Sequence, residues 1–165
     1  METSDAIKKR VSIREYQDKA IDKKTLEQLV DAGRRAPSAR AVEPWKFVIV
    51  RKREVLEKLG EIASNGSFIK KATAAIAVFC QETKYYLEDG VAATENILLM
   101  AADLGLGACW VAGDKKPYVH EVSKLLGAPC GMKLVSLISL GWPHEKKQQV
   151  KHNSLDDVIY WEKFL

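Results

Sequence analysis

The sequence predicts an α+β domain of three layers, with one sheet covered by helices on both faces. Three observations carry this. Four short apolar runs rich in Val, Ile, Leu and Ala read as strands. Between them lie segments whose apolar residues recur every three or four positions, the period of a helix with one buried face. A length of 165 residues, with 47% apolar and 29% charged side chains, suits one globular domain spanning 1–165.

The elements follow in order. Residues 4–10 read as a short helix capped by Ser4 or Asp5. Residues 23–35 form a second helix, with Asp22 as cap and Leu26, Leu29, Val30 and Gly33 on one face. Pro37 ends it. Residues 46–51 are a buried strand, and 53–63 a helix that turns Val55, Leu56, Leu59 and Ile62 inward. After a loop at Asn65-Gly66-Ser67, residues 74–80 form a second strand. The longest helix is 86–104, apolar over most of its girth through Leu87, Val91, Leu98, Ala101 and Leu104. Such a helix lies in a core or at an oligomer interface. Gly105-Leu106-Gly107 stops it. A third strand covers 108–112, a helix with Pro117 near its start covers 117–126, and a fourth strand covers 133–140 before Gly141-Trp142-Pro143. His144 to His152 is polar and basic, an extended connector. Ser154 followed by Asp157 resembles a capping box. The aromatic and aliphatic surface of Val158 to Phe164 needs docking, either on its own domain or around a neighbour.

Charge and composition exclude several classes. Lys and Arg number 26 and Asp and Glu 22, a net +4. This suits small anionic ligands and is too modest to argue for nucleic acid. Cys80, Cys109 and Cys130 are widely spaced and form no CxxC pair, so they read as thiols in a reducing compartment. The polar start Met1 to Asp5 carries no leader pattern, and no apolar run approaches about 20 residues, so no membrane span and a cytoplasmic location are expected. His120, His144 and His152 lack ligand spacing, so no metal site is expected. Gly105-Leu106-Gly107 fails as a dinucleotide fingerprint: position 110 is Trp, and the run follows a helix rather than a strand. No GxSxG elbow exists. Cys109 with His120 reads as an inert strand thiol rather than a nucleophile pair. Trp45 and Trp110 read as core.

Two runs carry chemistry. Arg10-Val11-Ser12-Ile13-Arg14-Glu15-Tyr16 spaces two guanidiniums around a hydroxyl. An arginine fork matches phosphate oxygens, and serine adds a small donor. The plainer alternative, beside Lys8 and Lys9, is a solvated basic surface. Some 22 residues on, Ala36-Pro37-Ser38-Ala39 leads through Pro44-Trp45 into the first strand. A phosphate clamp followed by a turn that brings backbone into a sheet is what a nucleotide-like cofactor needs.

Together these runs resemble the nitroreductase family of FMN-dependent flavoproteins over nearly the whole chain. Arg10 to Tyr16 is similar to the family's R-x-S-x-R/K-x-F/Y run. Ala36 to Phe47 is similar to its A-P-S-x-x-N-x-Q-P-W-x-F segment. Asp89 with Asn96 to Gly107 is similar to the long interface helix and its exit, and Leu140 to Pro143 to the G-Y/W-P turn. The resemblance implies a mostly antiparallel central sheet, a homodimer with FMN at the interface, and an extension over 143–165 packing on the partner subunit. It implies FMN contacts from Arg10, Ser12, Arg14, Pro37, Ser38, Ala39, Val111, Ala112, Gly113 and Lys151, with backbone donors at Ala112 and Gly113 near flavin N5 and Arg14 at the pyrimidine edge. Leu155 to Trp161 would be the closing helix. No catalytic side chain is expected. NADH or NADPH would deliver hydride, and a nitroaromatic, quinone or similar acceptor would leave with the electrons, by a ping-pong mechanism. The alternatives are a flavin-handling or dehalogenating relative, or a non-catalytic domain of the same fold. Three departures stand out: Ala41 for the usual Asn, Glu43 for Gln, and Lys151 for the commoner Arg. The stretch between the 53–63 helix and the 74–80 strand is also short, which implies an open pocket.

Overall fold

The computed structural model describes residues 2–145 and 147–164. Among the described residues five helices and four strands alternate much as the periodicities predict. The helices are α1 (Thr3–Lys9), α2 (Lys23–Arg34), α3 (Arg53–Ile62), α4 (Tyr86–Asp103) and α5 (Val119–Leu125). The strands are β1 (Trp45–Val50), β2 (Ala74–Gln81), β3 (Gly107–Ala112) and β4 (Met132–Gly141).

The strands form one sheet in the order β1-β2-β4-β3, antiparallel throughout. Alternate side chains leave opposite faces of a strand, so this sheet supports two cores. On one face Ile76, Val78, Ile138 and Leu140 meet Leu26 and Leu29 of α2 and Ala93, Ile97 and Ala101 of α4. On the other, Ala75, Ala77, Phe79, Leu134 and Leu137 meet Leu56 and Leu59 of α3 and Val122 of α5. The sheet is thus buried on both sides, which is why β2 shows no polar alternation until Gln81. The three-layer expectation holds.

The β2–β4 register shifts at Val78/Phe79, which pair with Ser136 and Leu134 and leave Val135 as the extra residue. As a result Val135 and Ser136 both meet α4: the Thr94 hydroxyl lies 2.8 Å from that of Ser136, and Val135 packs in the core with Ala93.

Several local expectations are corrected. Neither Ser4 nor Asp5 caps α1. Both lie inside it, behind Glu2, which makes no side-chain cap bond. Asp22 does cap α2, accepting from Thr25 N–H at 2.9 Å and Thr25 Oγ1 at 2.6 Å. Pro117 precedes α5 by a turn rather than opening it. Short 3₁₀ turns occupy Ala39–Ala41 and Ser67–Lys71, where only loops were expected. Helix α4 stops as predicted: Gly105 has φ 75°, Leu106 N–H returns to Ala101 O at 2.8 Å, and Gly105 N–H to Ala102 O at 3.2 Å.

The largest correction concerns the end of the chain. The capping-box bonds form, with Ser154 N–H and Oγ donating to Asp157 Oδ2 at 2.8 and 2.7 Å. No helix follows, and Leu155 to Trp161 run through turns and bends. A single helical turn closes few hydrogen bonds for the dihedrals it fixes, so it persists only when packing supports it. Here Leu155 is 70% exposed, Trp161 79% and Phe164 82%.

Candidate functional site

The N-terminal run lies along the open edge of the sheet. Strand β3 is that edge. Ser12 forms a parallel bridge to Ala108, and Ile13 N–H donates to Ala108 O at 2.9 Å. Further on, Tyr16 bridges Pro143 and Gln17 N–H donates to Trp142 O at 2.8 Å. The run is also bolted from below. The buried Tyr16 hydroxyl donates to Ile13 O at 2.6 Å and lies 2.6 Å from Ser139 Oγ. Burial raises the Tyr16 pKa well above its ordinary value, so the phenol stays a neutral donor.

Two glycines make this seat possible. A Cβ on Gly107 would sit 2.7 Å from Ile13 Cγ2, and one on Gly141 would sit 2.6 Å from Tyr16 Cδ1. Their lack of a side chain lets residues 12–16 lie directly on strand backbone. The Gly-Leu-Gly and Gly-Trp-Pro runs of the sequence are therefore docking surfaces for its N-terminal motif.

This seat gathers Arg10, Ser12 and Arg14 around Cys109. Burial raises the Cys109 thiol pKa, while Arg14, the Ser12 hydroxyl and Arg10 pull it back. Arg14 is exposed, and its guanidinium lies over the Phe68 ring at 5.4 Å. The Arg10 side chain is 27% exposed, with Nε 3.8 Å from Glu95 Oε1 of α4. Gln149 of the connector donates to the carbonyls of Ile7, at 2.7 Å, and Arg10. Lys151 lies two residues beyond and is exposed. Beside Arg10 opens a pocket of about 420 Å³, with an apolar floor that includes Leu98, Ala102 and Leu106 and a rim of Lys9, Glu145, Lys147 and Gln148.

The far end of β3 offers backbone. Ala108 aims its peptide groups outward, as the Ile13 bond shows, so by the two-residue alternation Trp110 and Ala112 do the same. Val111 is buried against α3 and α5, whereas Ala112 is exposed. Tyr118, the residue ahead of α5, donates its hydroxyl to Ala112 O and fixes that peptide. Gly113 differs from expectation as a donor. Its N–H goes to Val135 O at 2.9 Å, because the β4 bulge presents that carbonyl to the strand exit.

Pro37, Ser38 and Ala39 lie elsewhere. Ala39 N–H donates to Asp89 Oδ1 at 2.8 Å, near the start of α4, whereas Arg10 pairs further along at Glu95. The two anchor points are six positions apart, about 9 Å along a helix. Ser38 Oγ accepts from Glu43 N–H at 2.9 Å. Between them Arg40, Ala41 and Glu43 hold φ of 58°, 52° and 50°. Left-handed backbone costs a non-glycine residue roughly 1–2 kcal/mol, so this loop is strained. Asn tolerates that region better than most residues, which gives the departure at Ala41 a physical meaning. Trp45 is buried, and Trp110 packs half-buried against the same core, as expected. The roles of Phe68, Tyr118, Ser139 and Asp89 were missed in the sequence, and none carries a local signal. Among the described residues no cluster of His, Cys, Asp and Glu fits a metal ion. No helix there is long and apolar enough to cross a membrane.

Comparison with known proteins gives the same frame. The model described as the nitroreductase family matches residues 7–90 and 81–142. A protein of Archaeoglobus fulgidus, provisionally named NADH dehydrogenase/NAD(P)H nitroreductase, is 38% identical over 146 residues, 84% of this chain and 83% of that one. A crystal structure from Parabacteroides distasonis with the same provisional name superposes with a TM-score of 0.93 at 31% identity, covering 98% of each chain. An FMN-dependent nitroreductase from Clostridium difficile superposes with a TM-score of 0.89 at 28% identity, covering 98% of this chain and 99% of that one. This chain belongs to the nitroreductase family.

Proposed function

We propose that this chain is an FMN-dependent NAD(P)H oxidoreductase that passes electrons to nitroaromatic, quinone or similar acceptors. The observation that carries the reading is the seating of the Arg10, Ser12 and Arg14 run on the open edge of β3, where strand alternation turns the Ala112 N–H outward as well. The residues fit FMN. Two guanidiniums and a hydroxyl suit a phosphate and a polar ring edge, and Gly107 and Gly141 keep side chains out of the seat.

FMN, when bound, supplies the two-electron relay between nicotinamide and acceptor. Arg10 and Ser12 would hold the phosphate, with Lys151 as a further point charge. Arg14 would lie at the pyrimidine edge, where a cation would stabilise the negative charge of reduction. Ala112 offers its N–H, and Val111 and Gly113 shape the strand end. Pro37, Ser38 and Ala39 of a second copy close the site. No side chain is asked to move a proton, which agrees with the absence of a catalytic constellation in the sequence.

A homodimer is part of this reading. Its support is the exposed apolar surface of the tail at Leu155, Val158, Tyr160, Trp161 and Phe164, together with Val91 of α4 at 38% exposure. One open face then serves donor and acceptor in turn, which gives ping-pong kinetics. A cytoplasmic setting supplies NAD(P)H and keeps Cys80, Cys109 and Cys130 as thiols.

The test is the absorption spectrum of purified protein. Yellow protein, bleached anaerobically by NADH or NADPH and restored by a quinone or nitroaromatic, is the expected result. Colourless protein that takes up no FMN refutes the reading and favours a non-catalytic domain. Bound flavin that neither nicotinamide reduces favours a flavin-handling or dehalogenating role.

A further inference from the structure

The strained loop after α2 needs something to hold it. Its ends are fixed, since Ala36 is buried and Trp45 enters β1 with its ring in the core. Its middle contains three non-glycine residues in left-handed conformation. Within the loop Ser38 Oγ accepts from Glu43 N–H at 2.9 Å, but the bonds of the 3₁₀ turn are long, Ala41 N–H to Ser38 O at 3.2 Å and Val42 N–H to Ala39 O at 3.3 Å. The tie to the body of the fold is shorter: Ala39 N–H to Asp89 Oδ1, 2.8 Å, across 50 residues of sequence. Asp89 is 4% exposed, so the bond from the Ala39 peptide to its carboxyl group is shielded from water.

We propose that Asp89 is the positioning residue of the 37–43 loop, whose carboxylate fixes the Ala39 peptide and thereby holds Arg40, Ala41 and Glu43 in the left-handed conformation that presents Ser38 and Ala39 to the flavin. The flavin half of this statement rests on the function proposed above; the loop half does not. Asp89 acts only through the loop, which distinguishes it from Arg10 and Ser12. Without the tie, the loop gains by relaxing its positive φ angles and leaves the shape the site needs.

The experiment separates the halves. Arg40 is exposed, so trypsin reports loop opening by cutting after it. In flavin-free protein, Asp89→Leu should speed that cut, identified by mass, by about tenfold or more while the thermal melt stays above the assay temperature. Asp89→Asn keeps an acceptor oxygen and should stay within about threefold of the wild type. Ala39→Pro removes the donor instead, and Ser38 already holds φ −130° and ψ 148°, which a following proline requires. It should reproduce the faster cut even if Asp89→Leu fails to fold. FMN affinity should fall about tenfold in Asp89→Leu and recover in part in Asp89→Leu/Ala41→Gly, because glycine takes a positive φ freely. A merely structural Asp89 would give no such rescue. Wild-type cutting in both Asp89→Leu and Ala39→Pro overturns the proposal, as does faster cutting with no recovery from Ala41→Gly. A wild-type protein that binds no FMN fails the function proposed above and leaves the cutting rates to decide the loop.

Discussion

Replacing Gly141 with alanine tests whether the N-terminal run depends on direct contact with strand backbone. Gly141 does not hold a positive φ, so alanine is allowed there by its own backbone. What it meets is Tyr16: the new Cβ would lie 2.6 Å from Cδ1 and 2.7 Å from both Cβ and Cγ, where ordinary contact begins at 3.4 Å. These atoms are the root of the side chain, so a rotamer change gives no escape and the run itself must move. Overpacking of this kind costs about 1–3 kcal/mol. The same retreat stretches the two hydroxyl contacts of Tyr16, to Ile13 O and Ser139 Oγ, both 2.6 Å. Each contributes about 0.5–1.5 kcal/mol. The lower entropy of the unfolded alanine chain offsets about 0.4–1 kcal/mol. The net expectation is a destabilisation of about 2–4 kcal/mol, a fall in Tm of roughly 5–15 °C. Urea unfolding of flavin-free protein should show a lower midpoint at unchanged slope. Tyr16→Phe, which loses the hydroxyl but keeps the ring, should cost less, and the double variant should cost less than the sum of the two. FMN affinity should drop in Gly141→Ala, since Ser12 and Arg14 ride on the displaced segment. A midpoint within error of the wild type would refute the seating argument.

Other outcomes follow from the same geometry. Arg10→Ala should weaken FMN about ten- to a hundredfold and riboflavin far less, because a charged contact to phosphate contributes about 1.5–3 kcal/mol; equal losses for both ligands would remove the phosphate role. In native protein at pH 8, iodoacetamide should label Cys130, which is exposed, and spare Cys80, which is buried and whose thiol pKa is pushed up to about 12. Rapid labelling of Cys80 before unfolding would contradict its burial. Tyr86 donates to Asp114 Oδ1 at 2.7 Å, and that bond, aided by burial, raises its pKa from 10.0 to about 12. The folded state therefore keeps a proton that the unfolded state loses between pH 10 and 12, so stability is full below pH 10 and falls as pH rises through that window. Tyr86→Phe should show a shallower fall in urea titrations at alkaline pH. Light scattering should give twice the 18.5 kDa chain mass, and a flavin-bound monomer at micromolar concentration would defeat the dimer.

The sequence by itself determined the elements and their order, because each is a local matter of period and punctuation. Asp22 ahead of Thr25, the three-and-four spacing of Leu26 and Leu29, and the stop at Gly105 all act within a few residues and needed no fold to be read. Helical periods alternating with four apolar runs likewise announced a sheet covered on both faces. The sequence also displayed the Arg10, Ser12 and Arg14 run, whose residue types state their chemistry. Only the tertiary structure decided what those residues rest on. Gly107 and Gly141 look like turn residues in sequence, yet their function is close approach to Ile13 and Tyr16, segments nearly a hundred positions away or more. Asp89 reads as one more acid in the first turn of a helix until it meets Ala39, and Gly113 loses its expected role to a carbonyl that the β4 bulge turns toward it. The end of the chain shows the same division from the other side. Ser154 and Asp157 form their capping bonds as the pattern requires, but a helix so short needs a surface to pack on, and Leu155, Trp161 and Phe164 lie exposed instead. Local bonds are written in neighbouring residues; contacts between distant segments are fixed only when the sheet brings them together.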